Sequence, residues 1–315
     1  MKIVITDADT VFDSRITADA FEKYGQVISY PLTSTEQLPE RIKDADIVLC
    51  NKTWFGKQEM DAAANLKYIG IFATGYNNID LDYARQKGIT VCNAPGYSTE
   101  AVAQHAFALL LQIVSRVGDY NRIVTEGAWL TSPTFSMFPF PMWELSGKTL
   151  GIVGYGTIGK RVADIAKAFG MRVLVHNRSR VTDSTVTQVP FDTLLQESDV
   201  VSLHCPLNQD SEKLMNAEAF GKMKQGAILI NTARGPVVDE GALRDALLGG
   251  KLKAAGIDVL CKEPMSKDCP LFGVENCYIT PHVAWAGQET RARLVSVVEE
   301  NLKAFLEGAP INVVS

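Results

Sequence analysis

Cysteine is scarce and scattered in this sequence of 315 residues: the six positions, Cys50, Cys92, Cys205, Cys261, Cys269 and Cys277, form no CxxC pair. Zinc ribbons and thioredoxin-like motifs are thereby excluded, and reduced, mostly buried thiols are expected. Long apolar runs are missing too. The stretch 106–111 is flanked by Gln104, His105 and Gln112, far short of the roughly 18 residues that a spanning helix needs, so no membrane association is expected. Nor is there an excess of positive charge: 31 Lys and Arg against 36 Asp and Glu leave −5. Such a balance gives no global basic field for a phosphate backbone, which argues against a nucleic-acid partner. The N-terminal Met1-Lys2-Ile3-Val4-Ile5-Thr6-Asp7 has too short an apolar core for a secretory leader, and a cytoplasmic location is expected. No histidine has a ligand-type neighbour three or four residues away, so no metal is expected. Fixed-period repeats and low-complexity tracts are likewise absent.

What is present is ordinary for a globular chain: 46% hydrophobic and 21% charged residues, with 24 Gly and 13 Pro. The length lies near the point at which single cores stop growing, so two domains are expected. Short β-branched runs at 2–6, 47–50, 68–71, 90–92, 149–153, 172–175, 200–204, 227–231, 255–259 and 278–280 alternate with helical stretches. That alternation is the pattern of parallel βα sheets, and the fold class is α/β. Runs such as Gly151-Ile152-Val153-Gly154 and Ile228-Leu229-Ile230-Asn231 are apolar at consecutive positions, as strands covered on both faces should be. Two seams are expected. One precedes Ser98-Thr99-Glu100, where hydroxyl caps open a long helix through Ala101, Val102, Phe107, Leu110, Ile113 and Val114, apolar nearly all the way round. The other is the Pro-rich, aromatic stretch 132–143, read as a long loop returning to Leu145-Ser146-Gly147. A last helix is expected at about 288–306.

The run 149–153 leads into Gly154-Tyr155-Gly156-Thr157-Ile158-Gly159, and 160–169 reads as a helix with Ala163 facing the tight glycine. In a strand–turn–helix setting GxGxxG is a dinucleotide fingerprint, although a glycine turn without a ligand is the plainer alternative. Gly154 permits the turn, Gly156 lets the backbone approach a pyrophosphate, and Gly159 lets the helix pack on the sheet with its N-terminal N–H groups toward the anion. NAD-preferring sites carry Asp or Glu roughly 20 residues on, at the end of the second strand. Here the strand ends in His176-Asn177-Arg178-Ser179-Arg180, with no carboxylate. One unit charge pair about 4 Å apart is worth about 4 kcal/mol at a surface-like effective dielectric. The missing acid and the added Arg178 and Arg180 therefore both favour the 2′-phosphate of NADP; a solvated basic turn beside an NAD site is the other reading.

Arg234, Glu263 and His282 each stand just beyond the carboxyl end of an apolar strand, where open α/β sheets bind their ligands. A cation, a carboxylate and an imidazole suit hydride transfer to a 2-oxo acid. Arg forks onto a carboxylate, His gives and takes a proton near neutral pH, and Glu holds the imidazole and favours its charged form. Singly, each has a duller explanation: a helix-facing ion pair for Arg234, a solvated loop acid for Glu263, a core histidine anchored by Pro281 for His282. The remaining histidines read as bland: His105 packs in its helix, His176 ends a strand, and His204 precedes Cys205-Pro206 near the cofactor crevice.

Over nearly its whole length the sequence resembles the D-isomer-specific 2-hydroxyacid dehydrogenases. The likeness is carried by Ala73-Thr74-Gly75-Tyr76-Asn77-Asn78-Ile79-Asp80, the 154–159 turn, His204-Cys205-Pro206-Leu207, Asn231-Thr232-Ala233-Arg234-Gly235, Gly256-Ile257-Asp258-Val259 with Glu263-Pro264, and Thr280-Pro281-His282-Val283-Ala284-Trp285-Ala286. This resemblance implies that Arg234 anchors the substrate, His282 is the acid/base, Glu263 pairs with it, and Asp258 lies against the nicotinamide region. It also implies that Cys205, Pro206, Thr232 and Ala233 line the cofactor crevice together with the 154–159 turn and Asn177-Arg178-Ser179-Arg180. Thr74 and Gly75 would offer N–H groups to the substrate carboxylate. A flavodoxin-like substrate domain, 1–98 plus 288–315, would carry the dinucleotide-binding domain, 99–287, as an insertion, so that both domains are Rossmann-like with parallel sheets.

Within that family the Ala-Thr-Gly-Tyr-Asn-Asn and His-Val-Ala-Trp segments look closest to glycerate dehydrogenases, also called hydroxypyruvate reductases. Trp285, one helical turn beyond His282, would wall a small substrate pocket, or else simply pack in a core. The expectation is an oxidoreductase that reduces hydroxypyruvate or glyoxylate to the D-2-hydroxy acid, with NADP preferred over NAD. A homodimer is expected through the helix from Ala101 to Val114, judged too apolar to leave a face in water. The rival from another class is a dinucleotide-sensing, corepressor-like regulator on the same fold. The retained Arg234, Glu263 and His282, with no long disordered extension, favour the enzyme. A formate or phosphite dehydrogenase would need a differently lined pocket.

Overall fold

A computed structural model describes residues 1–315. Its strands are β1 (Lys2–Ile5), β2 (Gln26–Ser29), β3 (Ile47–Cys50), β4 (Tyr68–Ile71), β5 (Thr90–Cys92), β6 (Thr149–Val153), β7 (Arg172–His176), β8 (Thr187–Gln188), β9 (Val200–Leu203), β10 (Ala227–Asn231), β11 (Leu252–Ile257) and β12 (Cys277–Ile279). Its α-helices are α1 (Leu38–Ile42), α2 (Lys57–Ala62), α3 (Leu81–Lys87), α4 (Thr99–Ser115), α5 (Val117–Thr125), α6 (Thr157–Ala168), α7 (Phe191–Glu197), α8 (Ala217–Lys222), α9 (Glu240–Leu248) and α10 (Gln288–Leu306). They gather into two compact units: unit 1, Met1–Ser98 with Trp285–Ser315, and unit 2, Thr99–Ala284.

Unit 1 is a parallel sheet in the order β2-β1-β3-β4-β5, the flavodoxin-like order. Every residue of β3 and β4 is buried because both faces are covered, which is why these strands read as unbroken apolar runs. Leu294, Val298 and Leu302 of α10 pack with Phe21 and Tyr68 on one face, while Leu38, Ile42, Met60 and Ala84 cover the other. Asn301, fully buried on α10, donates from Nδ2 to the Asn93 carbonyl and accepts from Asn312 Nδ2, each at 2.8 Å. This buried amide pins the C-terminal segment beside β5, where Val313 bridges Cys92.

Unit 2 is a parallel sheet in the order β12-β11-β10-β9-β6-β7-β8. Connections run outward in both directions from β6, the doubly wound pattern that opens a crevice between the carboxyl ends of β6 and β9. Phe107, Leu110 and Ile113 of α4 and Val162, Ala163 and Ala166 of α6 cover one face; Leu194, Phe220, Leu243 and Leu247 cover the other. At Gly256 a Cβ would lie 2.9 Å from Leu109 Cβ, so the glycine is what admits α4 so close to β11.

Departures from the sequence reading have physical causes. Both unforeseen strands are sheet edges: β2 is half-buried to exposed and β8 is two exposed polar residues, so neither shows a consecutive apolar run. Residues 132–148 carry no helix or strand, as expected, yet they lie inside unit 2 and form no seam between units. Trp285, Ala286 and Gly287 belong to unit 1 and not to the 99–287 stretch. The helix expected to need a covering partner buries Val102, Ala103, Ala106, Phe107, Leu109, Leu110, Ile113 and Val114 within its own unit. What it exposes is Glu100, Gln104 and Ala108. Large exposed apolar side chains sit instead on the segment after it, with Leu130 at 90%, Phe135 at 91% and Phe138 at 81% exposure. No single helix is long and apolar enough to cross a membrane.

Candidate active site

At the end of β6 the chain turns through Gly154 with φ of +94°, in the left-handed region that favours glycine. A Cβ there would lie 2.6 Å from the Cys205 backbone nitrogen, so only glycine lets the ends of β6 and β9 meet. A Cβ on Gly159 would collide with the Gly154 carbonyl oxygen, which explains the tight start of α6. Gly156 differs, because a Cβ on it would meet no protein atom within 4 Å. Its smallness clears space on the open side of the turn, where no packing demands it. No side chain caps α6, leaving its first N–H groups and the positive end of its dipole for an anion. Thr232 Oγ1, at the end of β10, is buried with no hydrogen-bond partner, and such an atom is normally satisfied by a ligand or water. The cradle, the uncapped helix and the orphaned hydroxyl fit a bound dinucleotide.

On the far side of the crevice, β7 is followed by Asn177, whose Oδ1 accepts the Tyr155 N–H at 3.1 Å. Its Nδ2 donates to the Ser179 carbonyl and hydroxyl at 3.1 and 3.0 Å. Arg178 and Arg180 are exposed, and neither forms an ion pair. Beyond β9, His204 Nε2 lies 2.8 Å from Ser202 Oγ, and loss of solvation pushes its pKa down to about 4. Burial raises the Cys205 thiol above its ordinary value, so that side chain is a packing group. The Pro206 carbonyl accepts from Ser211 Oγ at 2.7 Å. His176 places Nδ1 3.3 Å from the Val189 carbonyl and leans on Phe191.

Arg234 follows β10, and buried Asn231 shapes its turn by accepting the Ala233 N–H and donating to the Arg234 carbonyl, both at 3.0 Å. The guanidinium donates from Nη1 to the Ala233 carbonyl at 2.7 Å and pairs with no carboxylate, which removes the ion-pair explanation. A Cβ on Gly235 would collide with the Leu260 carbonyl group, so the Arg234 turn lies directly against the loop that carries Glu263. That loop presents Glu263 Oε2 to His282 Nδ1 at 2.7 Å, while Oε1 accepts the Leu260 N–H at 2.9 Å. The structure thus brings the carboxylate and the imidazole together across a gap of 19 residues.

His282 has φ of +55°, a conformation rare for a residue with a Cβ. Its N–H donates to the Asp258 carbonyl at 2.8 Å, and the Asp258 carboxylate, 2% exposed, organises the rest of the turn. Oδ1 accepts from Thr280 Oγ1 at 2.6 Å and Val283 N at 2.9 Å, and Oδ2 accepts from Ala284 N at 2.9 Å. Both Asp258 oxygens thus accept hydrogen bonds from the His282 turn, with Oδ2 accepting only one. Because the Thr280 hydroxyl gives its only proton to Asp258, His105 Nε2, 2.9 Å from that hydroxyl, is the donor to it. His105 was read as simple packing, and Thr280 was not singled out. No local pattern links residues 175 apart.

In unit 1, Thr74 and Gly75 stand just past β4. Thr74 Oγ1 donates to the Ala94 carbonyl at 2.9 Å, and Asn93 Nδ2 donates to the Thr74 carbonyl at 2.7 Å. The N–H groups of both residues find no acceptor in the protein. Residues 282–287 are not helical, so Trp285 is no helical turn beyond His282. Its ring packs edge-on against Tyr97, centroids 6.4 Å apart, in the core of unit 1.

Unit 2 is therefore built as a doubly wound dinucleotide-binding domain. Residues 107–284 match the family profile described as the NAD binding domain of D-isomer specific 2-hydroxyacid dehydrogenases, and the chain belongs to that family. It is 43% identical, over the full length of both chains, to a hydroxypyruvate reductase of Blautia hydrogenotrophica. Identity is 42% to a glyoxylate reductase of Korarchaeum cryptofilum, covering 90% of this chain and 86% of that one. Among solved structures, a protein of Thermus thermophilus superposes with a TM-score of 0.91 at 38% identity, covering all of both chains.

The neutral His204 has a consequence for stability. Its pKa in the folded protein, about 4, lies below the ordinary value of 6.5, so between these values the unfolded chain binds more protons. Stability is then complete above about pH 6.5 and falls as the pH drops toward 4, by up to about 3 kcal/mol from this group. Urea midpoints measured from pH 7 to 4.5 should fall less steeply for His204→Gln than for the natural chain. Parallel curves would show that His204 is not the group responsible.

Proposed function

We propose that this protein is an NAD(P)H-dependent reductase of short 2-oxo acids, hydroxypyruvate or glyoxylate, yielding the 2-hydroxy acid, the D form from hydroxypyruvate. The observation that carries the reading is the 2.7 Å contact between Glu263 and His282, the imidazole held in a left-handed turn and the Glu263 loop packed against the turn of Arg234, whose guanidinium has no ion-pair partner. With its Nδ1 proton donated to Glu263, the imidazole works through Nε2. When bound, NAD(P)H would supply the hydride for the substrate's carbonyl carbon. His282 gives its Nε2 proton to the carbonyl oxygen as charge develops there and is reprotonated from solvent; Glu263 stabilises the charged ring. Arg234 forks onto the substrate carboxylate and fixes the carbonyl for attack. Asp258 acts through the backbone that positions His282. Unit 2 is the dinucleotide-binding domain and unit 1 the substrate domain, with the free N–H groups of Thr74 and Gly75 as its anion donors.

For the cofactor, the family binds NAD or NADP, and we assign a preference for NADP. An acid at position 177 would repel a 2′-phosphate; Asn177 does not, and the exposed, unpaired Arg178 and Arg180 attract it. Discounted for solvent, that attraction is about 1–2 kcal/mol for the two arginines together. We also assign a homodimer, with its covered surface moved from α4 to the exposed apolar side chains of Leu130, Phe135 and Phe138, since patches of this kind favour association. A cytoplasmic enzyme without a nucleic-acid or membrane partner completes the reading.

Four measurements test it. His282→Ala should lower kcat by a factor of about 10²–10⁴ with cofactor affinity kept, and Arg234→Lys should raise KM for the 2-oxo acid by a factor of about 10–100 because a point charge cannot fork. Near-normal turnover in the first variant, or an unchanged KM in the second, refutes the assigned roles. The ratio of kcat/KM for NADPH over NADH should be roughly tenfold at low salt and shrink as salt rises, and Asn177→Asp with Arg178→Ala should reverse it. A ratio favouring NADH at all salt concentrations refutes the preference. Light scattering at micromolar concentration should give the mass of two chains, with Leu130→Asp and Phe138→Asp together giving one; a monomeric natural chain refutes the dimer.

A further inference from the structure

The two arginines after β7 ride on a loop that is fastened at several points, although neither arginine does any of the fastening. Gln188, the last residue of β8, closes the loop like a clasp. Its Nε2 donates to the carbonyls of Asn177 and Ser179, each at 3.0 Å, and its Oε1 accepts the Val181 N–H at 2.9 Å. Both amide protons are thus occupied by loop backbone, so Gln188 has no donor left for a ligand. A second tether comes from the glycine turn itself. The Tyr155 hydroxyl donates to Asp183 Oδ2 at 2.6 Å, and Asp183 Oδ1 accepts the N–H and hydroxyl of Thr185 at 2.8 and 2.6 Å. Lys167 Nζ on α6 reaches the same Thr185 hydroxyl at 2.8 Å. Hydrogen bonds to Thr185 and Tyr155 hold the Asp183 carboxyl well below the usual carboxylate range, and burial with the Asp183 charge raises the Tyr155 phenol. The donor and acceptor of this tether therefore keep their roles across the physiological range.

We infer that Gln188 and the Tyr155–Asp183 pair are specificity-positioning residues, which hold the 177–186 loop so that Arg178 and Arg180 are in place for a 2′-phosphate before the cofactor arrives. The inference rests on the NADP preference assigned above and deepens it. A loop ordered only on binding would charge its conformational entropy against the ligand that orders it, here the 2′-phosphorylated one alone. Because Tyr155 belongs to the GxGxxG turn, the tether ties the arginines to the same segment that cradles the diphosphate. The distance from diphosphate to 2′-phosphate in the cofactor is fixed by its covalent structure, so a fixed spacing between turn and loop is what recognition of both requires.

Isothermal titration of the purified protein with 2′,5′-ADP and with 5′-AMP separates the possibilities. The natural chain should bind 2′,5′-ADP about tenfold more tightly. Gln188→Leu, which keeps the bulk and removes the clasp, should lose most of that tenfold while affinity for 5′-AMP stays within about twofold. Asp183→Ala, which removes the second tether, should do the same and stands in should the first variant not fold. If both ligands weaken equally in the variants, the residues merely support the fold and the inference is overturned. Unchanged discrimination in both variants overturns it as well. Equal affinity of the natural chain for the two nucleotides is a different failure, that of the NADP preference itself.

Discussion

One buried carboxylate determines where the imidazole of this protein stands. Asp258 is nearly sealed from solvent, and its charge is stabilised by a hydroxyl and two backbone N–H groups from the segment that contains His282. An ionised side chain in that environment is tolerable only while these donors stay in place. The carboxylate and the turn therefore stabilise each other: the donors solvate the charge, and the charge holds His282 in a backbone conformation it would not otherwise adopt. Glu263 then fixes the ring from outside. The ring thus has its backbone set by one acid and its tautomer by another, a division that leaves Nε2 as the only ring atom free for chemistry.

Close approach is the second constraint, and glycine meets it in two distinct ways. Gly154, Gly159, Gly235 and Gly256 are required by protein atoms already in contact, since a Cβ at any of them would strike backbone or core side chains. Gly156 is not required by the protein at all. A residue small for no internal reason, at the head of a helix with unpaired N–H groups, marks a surface shaped for something else. The same logic sorts the buried polar atoms. Tyr68 Oη, Arg291 Nε and Thr232 Oγ1 all lack partners. The Tyr68 hydroxyl, however, lies by the Cys92 thiol inside unit 1, and Arg291 is already bonded through its other nitrogens to Val11 and Asp13. Only Thr232 stands at the carboxyl end of a strand, β10, next to the strand β9 that borders the crevice, so only there does the missing partner point to a ligand.

Much of this was legible in the sequence wherever burial on both faces leaves a consecutive apolar signature. The inner strands of both sheets announce themselves that way, whereas β2 and β8 escape notice because edge strands face solvent and need no such run. The glycine turn was legible because strand, turn and helix are contiguous. Arg234, Glu263 and His282 were legible as strand-end residues, but their mutual placement was not, since it depends on Gly235 pressing against the Leu260 carbonyl. His105 and Thr280 were invisible for the same reason: their contact is created by packing α4 on the sheet. Trp285 misled because helical spacing was assumed where the chain is irregular. The apolar character of α4 also misled, because hydrophobicity all round signals burial without saying by what.

The basic loop after β7 and the His282 turn are separated by most of the width of the unit 2 sheet. Asn177, Arg178 and Arg180, proposed to discriminate a 2′-phosphate, follow β7, whereas the proposed acid/base pair, Glu263 and His282, follows β11 and β12, on the opposite side of β6 in the strand order. Between them stands the glycine turn at the head of α6. A change in charge after β7 therefore touches no hydrogen bond of the His282 turn. The converse holds too: the Asp258 network contains no residue of the β7–β8 loop. On the proposed reading, electrostatic selection at one end and proton transfer at the other therefore share no side chain, and each can be altered without removing a hydrogen bond of the other.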